Sequence, residues 1–195
     1  LGDLSVSGEF EFLQIDSFDK AVDSFWEGVK EKYKVAVNRN NKYLNWRYAK
    51  HPIFDYKLFV AKKDDDIKAF ATLRLEESGE YTIGRIVDFA AEDEVEEFML
   101  SSVCKWLLEQ KADLADFSFT GDFYKNSLKN VGFEESDKEP YASIPYLFSP
   151  IDHKRHSTNF AFKVIDNHLE SLCVATYSDF YITRGDCDQD RPNPR

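Results

Sequence analysis

Glycine is scarce in this chain, eight in 195 residues, and none of the eight builds a Gly-x-Gly-x-x-Gly fingerprint, a phosphate-binding loop or a Gly-x-Ser-x-Gly elbow. Those motifs need glycine so that backbone can approach a phosphate or hold a strained turn, and their absence argues against dinucleotide, P-loop and serine-hydrolase chemistry. Cysteine is almost as sparse. Cys104, Cys173 and Cys187 are odd in number and lack metal-ligand spacing, which suits free thiols in a reducing compartment. No apolar run approaches the ~20 residues that span a bilayer, and Leu1-Gly2-Asp3-Leu4 has neither a charged nor an apolar leader region, so a cytoplasmic location is expected. The lack of an initiator Met suggests a processed or excised piece with an N-terminal neighbour. Basic residues are outnumbered, 25 against 36 acidic, for a net charge of −11. Such a field repels nucleic-acid backbones and anionic headgroups, and neither nucleic acid nor membrane is an expected partner.

No metal site is expected either. His153 and His156 share a helical spacing but bracket Lys154 and Arg155, which repel a cation. Asp186, Asp188 and Asp190 imitate the start of a calcium loop, yet Arg191 stands where the loop needs glycine.

What the chain has in quantity is apolar and aromatic surface: 43% hydrophobic residues, with 17 Phe and 10 Tyr. A chain of this length buries roughly two-thirds of its unfolded surface and needs no staple. Phe10 to Ile15 alternates as a strand. Phe18, Val22, Phe25, Trp26 and Val29 recur at helical spacing after Asp16 or Ser17 as cap. A second helix is expected from Tyr43 to Lys50, ended by Pro52. Three strands follow as a meander, Asp55 to Lys63, Ile67 to Glu76 and Tyr81 to Phe89, the first two joined by Asp64-Asp65-Asp66. Glu92 to Gln110 carries one apolar stripe and is the longest expected helix. Asp113 to Thr120 then reads as a strand, parallel to the third meander strand through a right-handed crossover. A short helix, Asp122 to Asn130, ends at Gly132. Ala142 to Phe148, Asn159 to Ile165 and Tyr177 to Thr183 are later candidate strands.

This order of elements, with Asn130-Val131-Gly132-Phe133 closing the short helix, resembles the GNAT acetyltransferase superfamily from about Phe10 to Phe148. Tyr43-Leu44-Asn45-Trp46-Arg47-Tyr48, followed by His51-Pro52, is similar to segments of tandem GNAT-like proteins. The resemblance implies an α/β fold with a mixed sheet in one domain, residues 1–195, with a core of about 10–148 and an extension of about 149–195. It implies acetyl-CoA as cofactor, an amine of a small molecule or sugar as acceptor, and an N-terminal GNAT domain of a longer chain as a partner. The pantetheine arm would lie where two central strands splay, against Val87, Phe89 and Ala91, and all the chemistry depends on the strands near Val87 and Phe117 parting.

Two positions depart from the family pattern. The pyrophosphate loop should fall between Phe89 and Val95, where Ala90, Ala91, Glu92, Asp93, Glu94 and Val95 offer carboxylates and no glycine. Leu128 occupies the place of the Tyr that protonates the leaving thiolate, and Tyr124, one turn earlier, is the substitute candidate. On the third meander strand, alternation puts Arg85, Val87 and Phe89 on one face and Ile86, Asp88 and Ala90 on the other. Asp88 is the candidate general base, its pKa raised by burial, unless it is an ion-pair partner of Arg74 or Arg85. Tyr43, Trp46, Arg47 and Arg85 are candidate substrate-binding residues, unless Trp46 anchors its helix to the sheet while Arg47 pairs with an acidic neighbour. Two readings follow: an N-acyltransferase with an altered CoA loop, or a non-catalytic GNAT-like module that binds a ligand or packs on a catalytic neighbour.

Overall fold

The computed structural model describes residues 9–136, 140, 147–148, 151–152, 163–165 and 175–187. Its centre is a five-stranded sheet in the order β1-β3-β4-β5-β6. Strands β1 (Glu11–Ile15), β3 (Lys57–Lys63), β4 (Asp66–Ser78) and β5 (Tyr81–Ala91) run antiparallel to their neighbours, and β6 (Leu114–Phe117) is parallel to β5. A parallel neighbour requires a crossover, supplied by α3 (Glu96–Glu109). Helix α1 (Ala21–Val29) covers one face of the sheet, with Phe18 and Phe25 set edge-on to Phe70 at 5.6 and 6.2 Å. Helix α3 covers the other, with Trp106 against Phe59 at 5.0 Å and Leu107 over Gly84. A Cβ at Gly84 would meet Leu107 Cδ2 at 2.5 Å, so glycine there is a packing requirement.

Local structure departs from the sequence reading in instructive ways. The first helix begins at Ala21 and is capped by neither Asp16 nor Ser17; the Asp19 carboxylate accepts from Ala21 N at 2.8 Å in the turn ahead of it. The second is a single turn, α2 (Asn41–Leu44), capped by Asn40 Oδ1 on Tyr43 N at 2.9 Å and widened into a π-helical turn over Asn45–Ala49. The long helix starts with a 3-10 turn at Asp93–Val95, and α4 is Lys125–Asn130, with Gly132 at φ 95° just past its end. Strand β2 (Val35–Ala36) was invisible to hydrophobic pattern because two residues show no period; it pairs in parallel with β9 (Phe180–Tyr181). Of the later candidate strands, the first includes β7 (Leu147–Phe148), its residues 142–146 lying outside the described ones, and the third includes β9; β7 pairs with β8 (Ile151–Asp152). Residues 163–165 carry no strand, and the rest of Asn159 to Ile165, His153, His156, Cys173, Asp188 and Asp190 lie outside the described residues.

One correction bears directly on the site. The β4/β5 register runs Thr72 to Asp88 and then Leu73 to Ile86, leaving Val87 as an extra residue in β5. This β-bulge shifts the phase of the strand. Arg85, opposite Arg74, therefore shares the α1 face with Asp88 and Ala90, while Ile86 shares the α3 face with Phe89.

Candidate functional site

The bulge also marks where two strands separate. The last β5/β6 pair is Ile86 with Phe117, and the bulged residue comes next. A bulge bends and over-twists its strand, so β5 turns away from β6 at that point. Beyond it, Glu92 N donates to Lys68 O at 2.9 Å, which fixes the hydrogen-bond alternation: Ala90 and Asp88 turn their backbone groups to β4, and Phe89 and Ala91 turn theirs to the gap.

Those gap-facing groups are satisfied by side chains instead of a strand. Phe89 O accepts from the Tyr181 hydroxyl at 2.5 Å, and Phe89 N donates to Asp88 Oδ1 at 3.0 Å. Ala91 N donates to the Tyr124 hydroxyl at 3.3 Å, and Ala91 O accepts from Lys32 Nζ at 2.7 Å. Tyr124 reaches this edge because it stands just ahead of α4 with a left-handed backbone, φ 61°, and not on the helix face shared with Leu128. Its hydroxyl is hydrogen-bonded to that of Tyr33. Burial pushes both phenols above their ordinary pKa, so they remain neutral donors. Rings complete the filling: Tyr181 stacks on Tyr33 at 4.4 Å, and Tyr124 meets Phe89 edge-on at 4.9 Å.

Asp88 is completely buried. Its partner is neither Arg74 nor Arg85 but Arg39, also completely buried, whose Nε donates at 2.9 and 3.2 Å to the two carboxylate oxygens. Tyr48 hydroxyl (2.9 Å) and Thr183 hydroxyl (3.2 Å) donate to the same carboxylate. Arg39 reaches on to Asp186 Oδ2 at 2.5 Å and lies between the Trp26 and Tyr181 rings. One guanidinium thus serves two buried carboxylates. Burial drives the Asp88 pKa upward, against the pull of Arg39 and with the push of Asp186.

Tyr43 and Arg47 hold the 3-10 turn Arg184–Asp186. The Tyr43 hydroxyl donates to Asp186 Oδ1 at 3.1 Å and Arg47 Nε donates to Gly185 O at 2.9 Å, a carbonyl where an acidic neighbour was expected. Trp46 anchors nothing on the sheet; it is 67% exposed beside the Tyr43 ring. Arg85 lies farther down β5 in a separate cluster, donating to Glu76 (2.5 Å) and Asp116 (2.7 Å), with Arg184 on Asp116 at 3.0 Å. The acidic loop is itself paired: Lys32 bridges Asp93 and Glu96, and Lys68 meets Glu92 at 3.4 Å.

Sequence reasoning gave no site role to Arg39, Tyr48, Lys32, Tyr181 and Thr183. It read Asp186 only as a failed calcium ligand. A usable signal existed in Thr183-x-x-Asp186, a capping box that the turn forms. The strand order, the crossover helix and the parting of β5 from β6 after a bulge settle the architecture. The fold is GNAT-like.

No family model and no curated protein matches the chain. Among solved structures it is similar to an aminoglycoside acetyltransferase from an uncultured soil metagenomic sample in complex with sisomicin (11% identity, TM-score 0.47, 82% of this chain and 99% of that one). It is also similar to glucosamine-6-phosphate N-acetyltransferase from Arabidopsis thaliana (10%, 0.47, 79% and 99%) and to a probable acetyltransferase (13%, 0.48, 80% and 99%). These likenesses are of general architecture, and no residue role is taken from them.

Proposed function

We propose that the chain is a GNAT-type acyltransferase domain that takes its acyl group from acyl-CoA and passes it to an amine of a small molecule or sugar. The observation that carries this reading is the gap-facing edge of β5. There Phe89 and Ala91 present backbone donors and acceptors in strand spacing, held by hydroxyls and an ammonium, and an extended amide chain such as pantetheine could replace those place-holders group for group. Val87, Phe89 and Ala91 would line the arm, and Tyr124, a neutral hydroxyl on Ala91 N, would donate a proton to a leaving thiolate. Asp88 adjoins the same edge through Phe89 N. As an enclosed carboxylate of raised pKa, it would take the amine proton only after part of its hydrogen-bond shell opens. Tyr43, Trp46 and Arg47 would border the acceptor. The test is calorimetry with acetyl-CoA: saturable heat is expected, and none at millimolar ligand would overturn the reading.

A second reading, a non-catalytic GNAT-like module that binds a ligand or packs on an N-terminal catalytic domain, is favoured by the acidic loop. Two unit charges ~4 Å apart repel by about 4 kcal/mol at a surface-like dielectric, so Glu92 and Asp93 oppose a pyrophosphate there. If Glu92→Gly with Asp93→Ala gains acetyl-CoA binding that the parent lacks, the module reading prevails.

A further inference from the structure

The gap along β5 is filled by a piece of chain about ninety residues away, and that piece is held in an unusual manner. We propose that Tyr181 to Asp186 is a latch over the parted edge of β5, with Gly185 as its keystone, and that its withdrawal admits the pantetheine arm of an acyl-CoA. The ligand named here rests on the acyltransferase reading; the latch does not.

Each attachment of this segment to the β5 side of the gap runs through a side chain or through Gly185. Tyr181 caps Phe89 O, Thr183 donates to Asp88, and Asp186 takes Arg39. Gly185 slides beneath Tyr48 and Val87: a Cβ at this position would fall on the Tyr48 hydroxyl and lie 3.2 Å from Val87 O. From outside, Arg47 holds Gly185 O and Tyr43 holds Asp186. Backbone anchorage is slight by contrast. Strand β9 has two register pairs with β2, and Phe119 and Thr183 form a single bridge made by Thr120 N to Ile182 O and Arg184 N to Ser118 O, beside which Ile182 N donates to Thr120 Oγ1. A segment held to its neighbours by few rungs can lift as a unit at less cost than a strand inside a ladder.

The charges favour the same division. Closed, the cluster has one guanidinium and two carboxylates, Arg39 with Asp88 and Asp186, for a net buried charge of −1 if all are ionised. Withdrawal carries Asp186 to solvent and leaves Arg39 with Asp88, a neutral buried pair with Tyr48 still donating to it. Arg184 leaves Asp116 in the same movement, and Asp116 keeps Arg85, so the open form strands no unpaired ion in the interior, the outcome that makes most disrupted buried salt bridges prohibitive.

The experiment uses the full chain and two variants. Gly185→Ala wedges the turn off Tyr48, and Tyr181→Phe removes only the hydroxyl on Phe89 O. Amide hydrogen exchange reads the latch without any ligand: exchange over Val87 to Ala91 should rise about tenfold or more in Gly185→Ala, and less in Tyr181→Phe, while the middle of α3 stays protected. Calorimetry with acetyl-CoA then reads the cofactor. Faster exchange with acetyl-CoA binding tightened over that of the parent supports both latch and acyltransferase reading. Faster exchange with no acetyl-CoA heat supports the latch and overturns the ligand. Unchanged exchange at Val87 to Ala91 in both variants overturns the latch. If Gly185→Ala loses protection throughout the chain, Tyr181→Phe alone decides by the same measure.

Discussion

Strand β5 carries two arginine–carboxylate clusters on one face, one at each end of its bulge, and they differ in what lies beside them. Around Arg85, Glu76 and Asp116 the β5/β6 ladder is closed, so the ions sit over a finished sheet and remain partly wet, Glu76 at 13% and Asp116 at 23% exposure. Around Asp88, Arg39 and Asp186 the ladder has ended and exposure is 0–1%. The paired end uses charge to decorate a sheet; the parted end uses it to hold together elements that no backbone ladder joins.

The largest expected difference comes from deleting the central cation of each. Arg39→Met leaves two carboxylates buried without their counter-ion and should cost about 3–5 kcal/mol in chemical denaturation. Arg85→Met, whose partners also meet Arg74 and Arg184, should cost about 1–3 kcal/mol. Equal losses would erase the contrast.

Next come opposite pH signatures. Burial raises the Asp88 pKa, so the stability this group contributes is complete below the ordinary carboxylate range and is lost as pH climbs through its native value. At Glu76 burial pushes upward but is outweighed by the hydrogen bond and charge of Arg85 and the charges of Arg74 and Arg184, leaving its pKa low. Its contribution is present above the ordinary glutamate range and is lost as pH falls through the native value. Melting temperatures measured against pH should show the parent losing ground to Asp88→Asn as pH rises and to Glu76→Gln as pH falls.

A smaller effect is expected from Tyr181→Phe, which leaves Phe89 O without its donor, at about 1–3 kcal/mol in the same denaturation series. The smallest belongs to Trp46→Ala, within about 0.5 kcal/mol because the ring is exposed. A large stability loss there would mean that the indole is buried in solution.

The framework was legible because patterned stretches dominate it: the meander and the crossover helix announce themselves by period, and the stop after the short helix by the glycine at position 132. Asp88 was legible as a buried acid because it is the one carboxylate of Tyr81–Ala91 and stands between Val87 and Phe89. Its partner was not. Arg39 sits in a polar run before a one-turn helix, and only three-dimensional proximity joins it to Asp186, 147 positions away. The bulge at Val87 was equally hidden, since a single extra residue leaves no mark on composition, and it overturned the assignment of Arg85 and Ile86 to faces. Tyr181 read simply as strand; that its hydroxyl caps another strand's carbonyl is a tertiary fact.

The extra residue at Val87 makes β5 a hinge between sheet and void. Excising it would give β5 regular alternation, with Asp88 still on its present face, and would remove the bend that carries the strand away from β6. The parallel ladder could then run on past Phe117, and the molecule would exchange its cleft for one more rung of sheet without a single polar side chain having been altered.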